Sequence, residues 1–180
     1  MKATQKGKLQ VLPDAYITIP VSGGSSYTVK LRSLPEISDS KQSVYNNEPI
    51  IGRSIPLYTF SHSGDRQIHM QLHFYVTEVP DIDRNLNDMR AIQSALYPSP
   101  GENGAPVQPP PICTIRCGQL LAKYDPLCVV LQSYSLKFDA SVTWDEDTYC
   151  PYKFDMDTSW LVVYTSSDLP FQSRIVQLGR

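Results

Sequence analysis

The stretch from Gln67 to Val76 constrains the fold of this chain more than any other, because its side chains alternate in character without a break. Gln67, His69, Gln71, His73 and Tyr75 occupy one phase, and Ile68, Met70, Leu72, Phe74 and Val76 the other. A period of two puts these sets on opposite faces of an extended chain, so the segment predicts a long β-strand with one apolar and one polar face. The apolar face requires a core beneath it. The polar face carries amides and imidazoles, but not the mixture of acid, base and nucleophile that would point to catalysis. The pattern is that of an element built for assembly.

Other segments fall into place around this strand. Tyr27 to Leu31 alternates weakly and reads as a first strand, preceded by a polar N-terminal arm over residues 1–26. Ser38 to Pro49 is rich in Ser, Asn and Gln and reads as an irregular surface connection. From Pro80 to Leu96, the residues Ile82, Leu86, Met89, Ile92 and Leu96 recur at helical spacing, with Asp81 as the expected N-cap and Pro98 as the stop. Residues 97–111 contain PSPGENGAPVQPPP, whose prolines lack amide donors, and predict a loop. ICTIRC reads as a short strand ending at Gly118, and Leu127 to Leu131 as another. Tyr134, Leu136, Phe138, Ala140, Val142 and Trp144 form a second strong alternation, continued by Phe154, Met156, Trp160, Val162 and Tyr164 after the connector DEDTYCPY. The apolar phase places Trp144, Trp160 and Tyr164 in the core. The order is several strands, one helix, several strands, which predicts a single, mainly β domain over residues 1–180: a sandwich or barrel with one helix packed on it. Residues 170–180 read as a C-terminal arm.

Composition narrows the function classes. In a chain of 180 residues, 41% hydrophobic and 19% charged residues are ordinary for a folded domain with a substantial core. A formal net charge of -2 supplies no general attraction to phosphate backbones or anionic lipid. The basic start, MKATQKGKLQ, has no apolar run of secretory length, so a cytoplasmic site of synthesis and four reduced, packed cysteines (Cys113, Cys117, Cys128 and Cys150) are expected. In an extended CTIRC segment, Cys113 and Cys117 stand roughly 13 Å apart, too far to bridge.

Specific chemistry finds little support. On one strand face His69 and His73 are also about 13 Å apart, which does not suit a shared ion held at about 2 Å, and His62 lies outside the alternating run. No metal or cofactor is therefore expected. Asp145, Glu146 and Asp147, with Asp155 and Asp157 beyond, lack the glycine and terminal glutamate of a calcium loop, and read as a charged connector. No serine sits in a GxSxG elbow, and SGGSS at Ser22 to Ser26 lacks the lysine of a phosphate loop. No catalytic residue is identified, and the reading is not an enzyme.

Several elements in order, PEISDSKQSVYNNEPIIGRSIP, a strand ending in LHFY, a helix closing with LYPSPG, PPPICTIRCG and CVVLQSYSLKFD, carry a family pattern from about Leu34 to Tyr164. The chain thereby resembles the tail-tube-like baseplate and tube-connector proteins of contractile phage tails and related contractile injection systems. The family element is Ile51, Gly52, Arg53, Ser54 and Pro56. Cys117-Gly118 stands where the family has Trp-Gly, and WDEDTYCPY replaces a glycine-rich connector. The resemblance implies a tail-tube-like β-sandwich or barrel and a structural virion protein of the tail or baseplate, assembled in the host cytoplasm. It implies a ring, a hexamer by analogy, as baseplate/tail-tube connector or tube initiator. Its partners would be tail tube, hub, sheath or baseplate proteins, with DNA only passing through the channel and no membrane. Gln67, His69, Gln71 and His73 are then the expected channel or ring-surface face. The alternative from another class is a monomeric carbohydrate- or host-binding β-sandwich module, with a cell-wall hydrolase third.

Overall fold

The computed structural model describes residues 12–21, 24–100, 107–122 and 125–164. The strong alternation folds as expected. Strand β4, Leu57–Tyr75, buries Ile68, Met70, Leu72 and Phe74 and leaves the intervening residues exposed or half-buried. Around it the chain forms β1 (Ala15–Val21), β2 (Ser25–Lys30), β3 (Glu36–Glu48), helix α1 (Pro80–Ser94), the two-residue β5 (Ser99–Pro100) and β6 (Val107–Gln108), β7 (Cys113–Cys117), β8 (Leu127–Phe138) and β9 (Lys153–Val162). The fold is mainly β with one helix. Seven strands make one antiparallel sheet in the order β2-β1-β7-β8-β9-β4-β3, and β5 pairs with β6 separately.

The sheet curls over its own core. β2 and β4 are far apart in strand order, yet Val29 and Leu31 line the same small cavity as Leu72 and Phe74. The edge strands β2 and β3 are joined only by Leu31 to Pro35, a link that reaches at most roughly 20 Å, so the two edges approach each other at that end. Their ladder does not close. Inside the curl, Ile17, Ile19, Val29, Ile115, Val129, Met156 and Trp160 join the apolar face of β4 in one core. Trp160 satisfies its indole by donating to Thr158 Oγ1 at 2.8 Å, and that hydroxyl donates to the Met70 carbonyl at 3.0 Å. Burying this polar pair therefore leaves no orphan among these three groups.

Several expectations are corrected, each for a local reason. Part of the supposed N-terminal arm is β1, whose Ala15, Ile17 and Ile19 are core residues; their alternation is short and ends at Pro20. Residues 1–11 and the expected C-terminal arm at 170–180 lie outside the described residues. The polar connection from Ser38 to Pro49 is instead mostly β3, which has no apolar phase because nearly all of it is exposed; ladder bonds to β4 hold it extended. The proline-rich loop contributes the β5–β6 ladder. Leu127 to Leu131 and Tyr134 to Phe138 belong to one strand, β8. An extra residue at the bulge between Leu131 and Ser133 exchanges the inward phase from odd to even numbers. Trp144 is 39% exposed rather than buried, because β8 ends at Phe138 and Asp139 accepts bonds from the Ser141 amide and hydroxyl, turning the chain out of the sheet. Cys128 is exposed, while Cys113, Cys117 and Cys150 are buried; all four are free thiols.

Helix α1 docks through polar groups as well as its apolar stripe. Its N-cap position is Val79, without a side-chain cap, and Pro80 opens the first turn. Asp81, expected as the cap, lies inside the first turn and reaches back. Its Oδ2 accepts from the Thr77 and Glu78 amides at 3.1 and 3.2 Å, and its Oδ1 pairs with Arg32 at 2.5 Å. Asn85 donates to the Tyr75 carbonyl, and Asp88 accepts from the Tyr27 hydroxyl at 2.7 Å. Arg32 and its neighbours hold the Asp81 carboxyl well below the usual carboxylate range, whereas burial pushes Asp88 up. Burial, reinforced by Asp88, also pushes the Tyr27 phenol up to about 12.

Two outcomes follow from this core. Trp160→Ala is expected to cost about 3 to 5 kcal/mol in denaturant unfolding, and Trp144→Ala less than about 1 kcal/mol. Asp81→Asn removes a carboxylate whose folded pKa is depressed. Its contribution is present above the unfolded value near 4 and lost as pH falls through the folded one. The variant is expected to be about 3 kcal/mol less stable at pH 7, with the gap to the parent shrinking in strong acid.

Candidate functional site

Because β4 alternates, pairing it with β3 and β9 aligns polar residues into rows across the outer face. One row is Ser38, His69, Ser159 and Ser133; the next is Glu36, Gln71, Asp157 and Ser135; a third is His73, Asp155 and Lys137. Four neighbouring strands at about 4.8 Å spacing give this face a width of roughly 14 Å. The rows hold three carboxylates and one lysine, so the face presents no positive field to retain a polyanion. Toward Gln67 the face ends in Leu161 and Val130.

The expected face of Gln67, His69, Gln71 and His73 is thus on the side away from the core, with His69 exposed and the other three half-buried. The two histidines occupy different rows. His73 Nδ1 lies 2.7 Å from Asp155 Oδ1, and that row adds the Lys137 amine but no hydroxyl or thiol to this imidazole–carboxylate pair. Among the described residues no group of three or more His, Cys, Asp or Glu side chains is placed to hold a metal ion.

The second surface is the part of the β3–β4 hairpin that runs beyond the core. Arg66 closes the end of the apolar interior: it pairs with Asp39 and donates to the Leu121 carbonyl at 3.1 Å. Past it, register shifts between Lys41 and Ser43 and between Val44 and Tyr45 bend the ribbon. Gly64 sits where a Cβ would meet the Gln42 carbonyl oxygen at 3.2 Å, which permits the close approach at the first shift. Ile51, Gly52, Arg53, Ser54 and Pro56 make the apex, with Gly52 at φ 87° and a turn from the Arg53 amide to the Ile50 carbonyl. Ile51 is fully exposed, Ile55 68% and Phe60 60% exposed, and Tyr45 meets Phe60 edge-on at 5.7 Å.

A third surface, missed by reading Trp144 as core, is the connector between β8 and β9 at the opposite end of the sheet. Phe138, Trp144, Tyr149 and Tyr152 are exposed there. The connector is held by the Trp144–Pro151 bridge and by bonds from the Thr148 amide and hydroxyl to Asp145, and Tyr149 adopts φ 55°. The sequence signal was present: Asp139 followed by Ser141 is a turn signature that ends an alternation.

Protein-family models and curated proteins give no match to this chain. The geometry gives the two faces of β4 different burial, one in the core and one turned away from it. Replacing His69 and His73 together with Gln is expected to leave the melting temperature within a few degrees of the parent, whereas Leu72→Asp is expected to abolish soluble protein by placing a carboxylate in the core.

Proposed function

We propose that this chain is a structural virion protein of a contractile tail or related injection system, a ring-forming connector between baseplate and tail tube. The carrying observation is the β3–β4 ribbon: from about Ser43 to Ser63 its side chains are almost all exposed, with no core of their own beneath them. A two-stranded ribbon of this kind is marginal alone in water and gains its stability from a neighbour. Large apolar side chains along it, Tyr45, Leu57, Tyr58 and Phe60 among them, are the contacts that such a neighbour would cover.

Among the described residues no strand pairs with the outer edges of β2 and β3, which supports the same reading, because strand edges that meet a neighbouring copy can close into a ring. The polar, slightly acidic face across β3, β4, β9 and β8 suits a wet channel wall along which DNA passes without being held. The sequence resemblance adds the family and the six-fold count. The chain acts by shape and has no catalytic role in this reading.

The exposed Trp144 favours the other class, a monomeric glycan-binding module, since an accessible indole can stack on a sugar. Light scattering on the eluting protein and negative-stain images separate the two. Six-fold rings are expected, with a folded monomer produced when residues 44–62 are replaced by an Asn-Gly turn joining Ser43 to Ser63. A parent chain that remains monomeric at high concentration and binds oligosaccharide would favour the module instead.

A further inference from the structure

β9 is aimed along an edge of β4 that it only half covers. It runs antiparallel to β4, from Lys153 beside Tyr75 to Leu161 beside Gln67, so the chain leaves it heading toward Arg66 and then Leu57. Over that stretch β4 pairs with β3 on one side, and among the described residues no strand pairs with it on the other. This open edge, Leu57 to Arg66, is about 33 Å long. The chain keeps its extended course past the end of the β9 ladder, since the Val163 amide still donates to the Cys128 carbonyl of β8 at 2.9 Å. Tyr164 then packs against the core, and Lys41 Nζ lies over its ring at 5.6 Å. Lys41 is the β3 partner of Arg66, in the row where the core ends and the ribbon begins. Residues 165–180, TSSDLPFQSRIVQLGR, therefore start at the base of the ribbon, and fully extended they reach about 50 Å.

We propose that residues 165–169 prolong β9 along the open edge of β4 within the same copy, turning the base of the β3–β4 ribbon into a three-stranded sheet. The occupant is the copy's own chain because β9 delivers it to this edge already antiparallel and without a loop, so little closure entropy opposes the pairing. A segment added to a sheet edge takes its affinity from main-chain hydrogen bonds, which need amide donors. Thr165 to Leu169 supply them, and Pro170, which has none, sets the limit of the added strand. Counted from the Leu161–Gln67 pair, Leu169 comes level with Thr59, beside the exposed Tyr58 and Phe60. An aliphatic side chain next to aromatic ones is a favourable cross-strand neighbour. The contact lies on β4, so it leaves the outer edge of β3 to a neighbouring copy and does not depend on ring formation.

Amide hydrogen exchange, read by NMR on the perdeuterated full chain, tests this. In an antiparallel ladder alternate amides of β4 point away from β3, and between Thr59 and Asp65 those amides are expected to be protected in the parent. Ser166→Pro together with Ser167→Pro removes a donor from the added strand whichever of the two faces β4. The double variant is expected to speed exchange of the outward amides at least about tenfold, while the amides bonded to β3 and the circular dichroism stay as in the parent. Ser166→Ala with Ser167→Ala keeps both donors and is expected to behave like the parent. Outward amides that exchange as fast in the parent as in the proline variant would overturn the proposal. Protection that grows with protein concentration would overturn it too, because the strand would then come from another copy. The parent also carries a readout that needs no variant: nuclear Overhauser contacts between the Hα atoms of Thr165 to Leu169 and those of Thr59 to Ser63 are expected, and their absence would sink the idea even if the proline variant failed to fold.

Discussion

Everything in this molecule depends on the mismatch between the length of β4 and the extent of the core it covers. Its C-terminal half, Ile68 to Phe74, presses four large apolar side chains against the curled sheet. Its N-terminal half has no such support and, together with β3, leaves the domain as a ribbon. A single strand serves both purposes because one partner takes over from the other: β3 pairs with Leu57 to Gln71 and β9 with Gln67 to Tyr75, so the two overlap where the core begins. The same strand therefore anchors the fold and projects from it. Arg66 marks the boundary, with its guanidinium shared between Asp39 and the Leu121 carbonyl where apolar packing stops.

The helix solves a different problem. A curled sheet whose ladder does not close leaves an opening between β2 and β4, and α1 lies over it. An all-apolar docking face would have been the simpler covering, yet Asp81, Asn85 and Asp88 are buried there. Each finds a partner: Arg32, the Tyr75 carbonyl and the Tyr27 hydroxyl respectively. Buried polar contacts of this type are directional, so they fix how the helix sits more narrowly than apolar packing alone. The opposite pKa directions of Asp81 and Asp88 reflect two environments on one helix. One carboxylate is surrounded by donors, and the other is dominated by burial.

The surfaces left over are unlike one another, and their distribution supports the assembly reading. The broad face over β3, β4, β9 and β8 is polar and weakly charged. The ribbon exposes several large apolar side chains among polar ones and lacks a core. The β8–β9 connector is aromatic and acidic. A monomeric binding module needs one such surface, whereas a subunit that meets neighbours on several sides needs several, each matched to a different contact. The weak net charge fits a wall past which nucleic acid moves, since a strongly basic lining would hold it.

The sequence by itself determined those parts whose side chains face two different media. The alternation in β4 and β9, the helical stripe from Ile82 and the strand ending at Gly118 were legible because burial on one side and water on the other impose a period. β3 was illegible for the converse reason: both its faces meet water, so only ladder bonds to a distant strand make it extended. In β8 the bulge at Gln132 reversed the inward phase and made one strand look like two. Trp144 continued an alternation after the strand itself had stopped, because a turn at Asp139 leaves the residue pattern intact while removing the sheet. The partners of Asp81, Asn85 and Asp88 could not be read, since Arg32 and Tyr27 are brought to the helix only when the sheet curls. Local periodicity thus fixed the faces of the elements. The tertiary structure alone decided where each strand outruns its core, because that depends on how far the neighbouring strands extend.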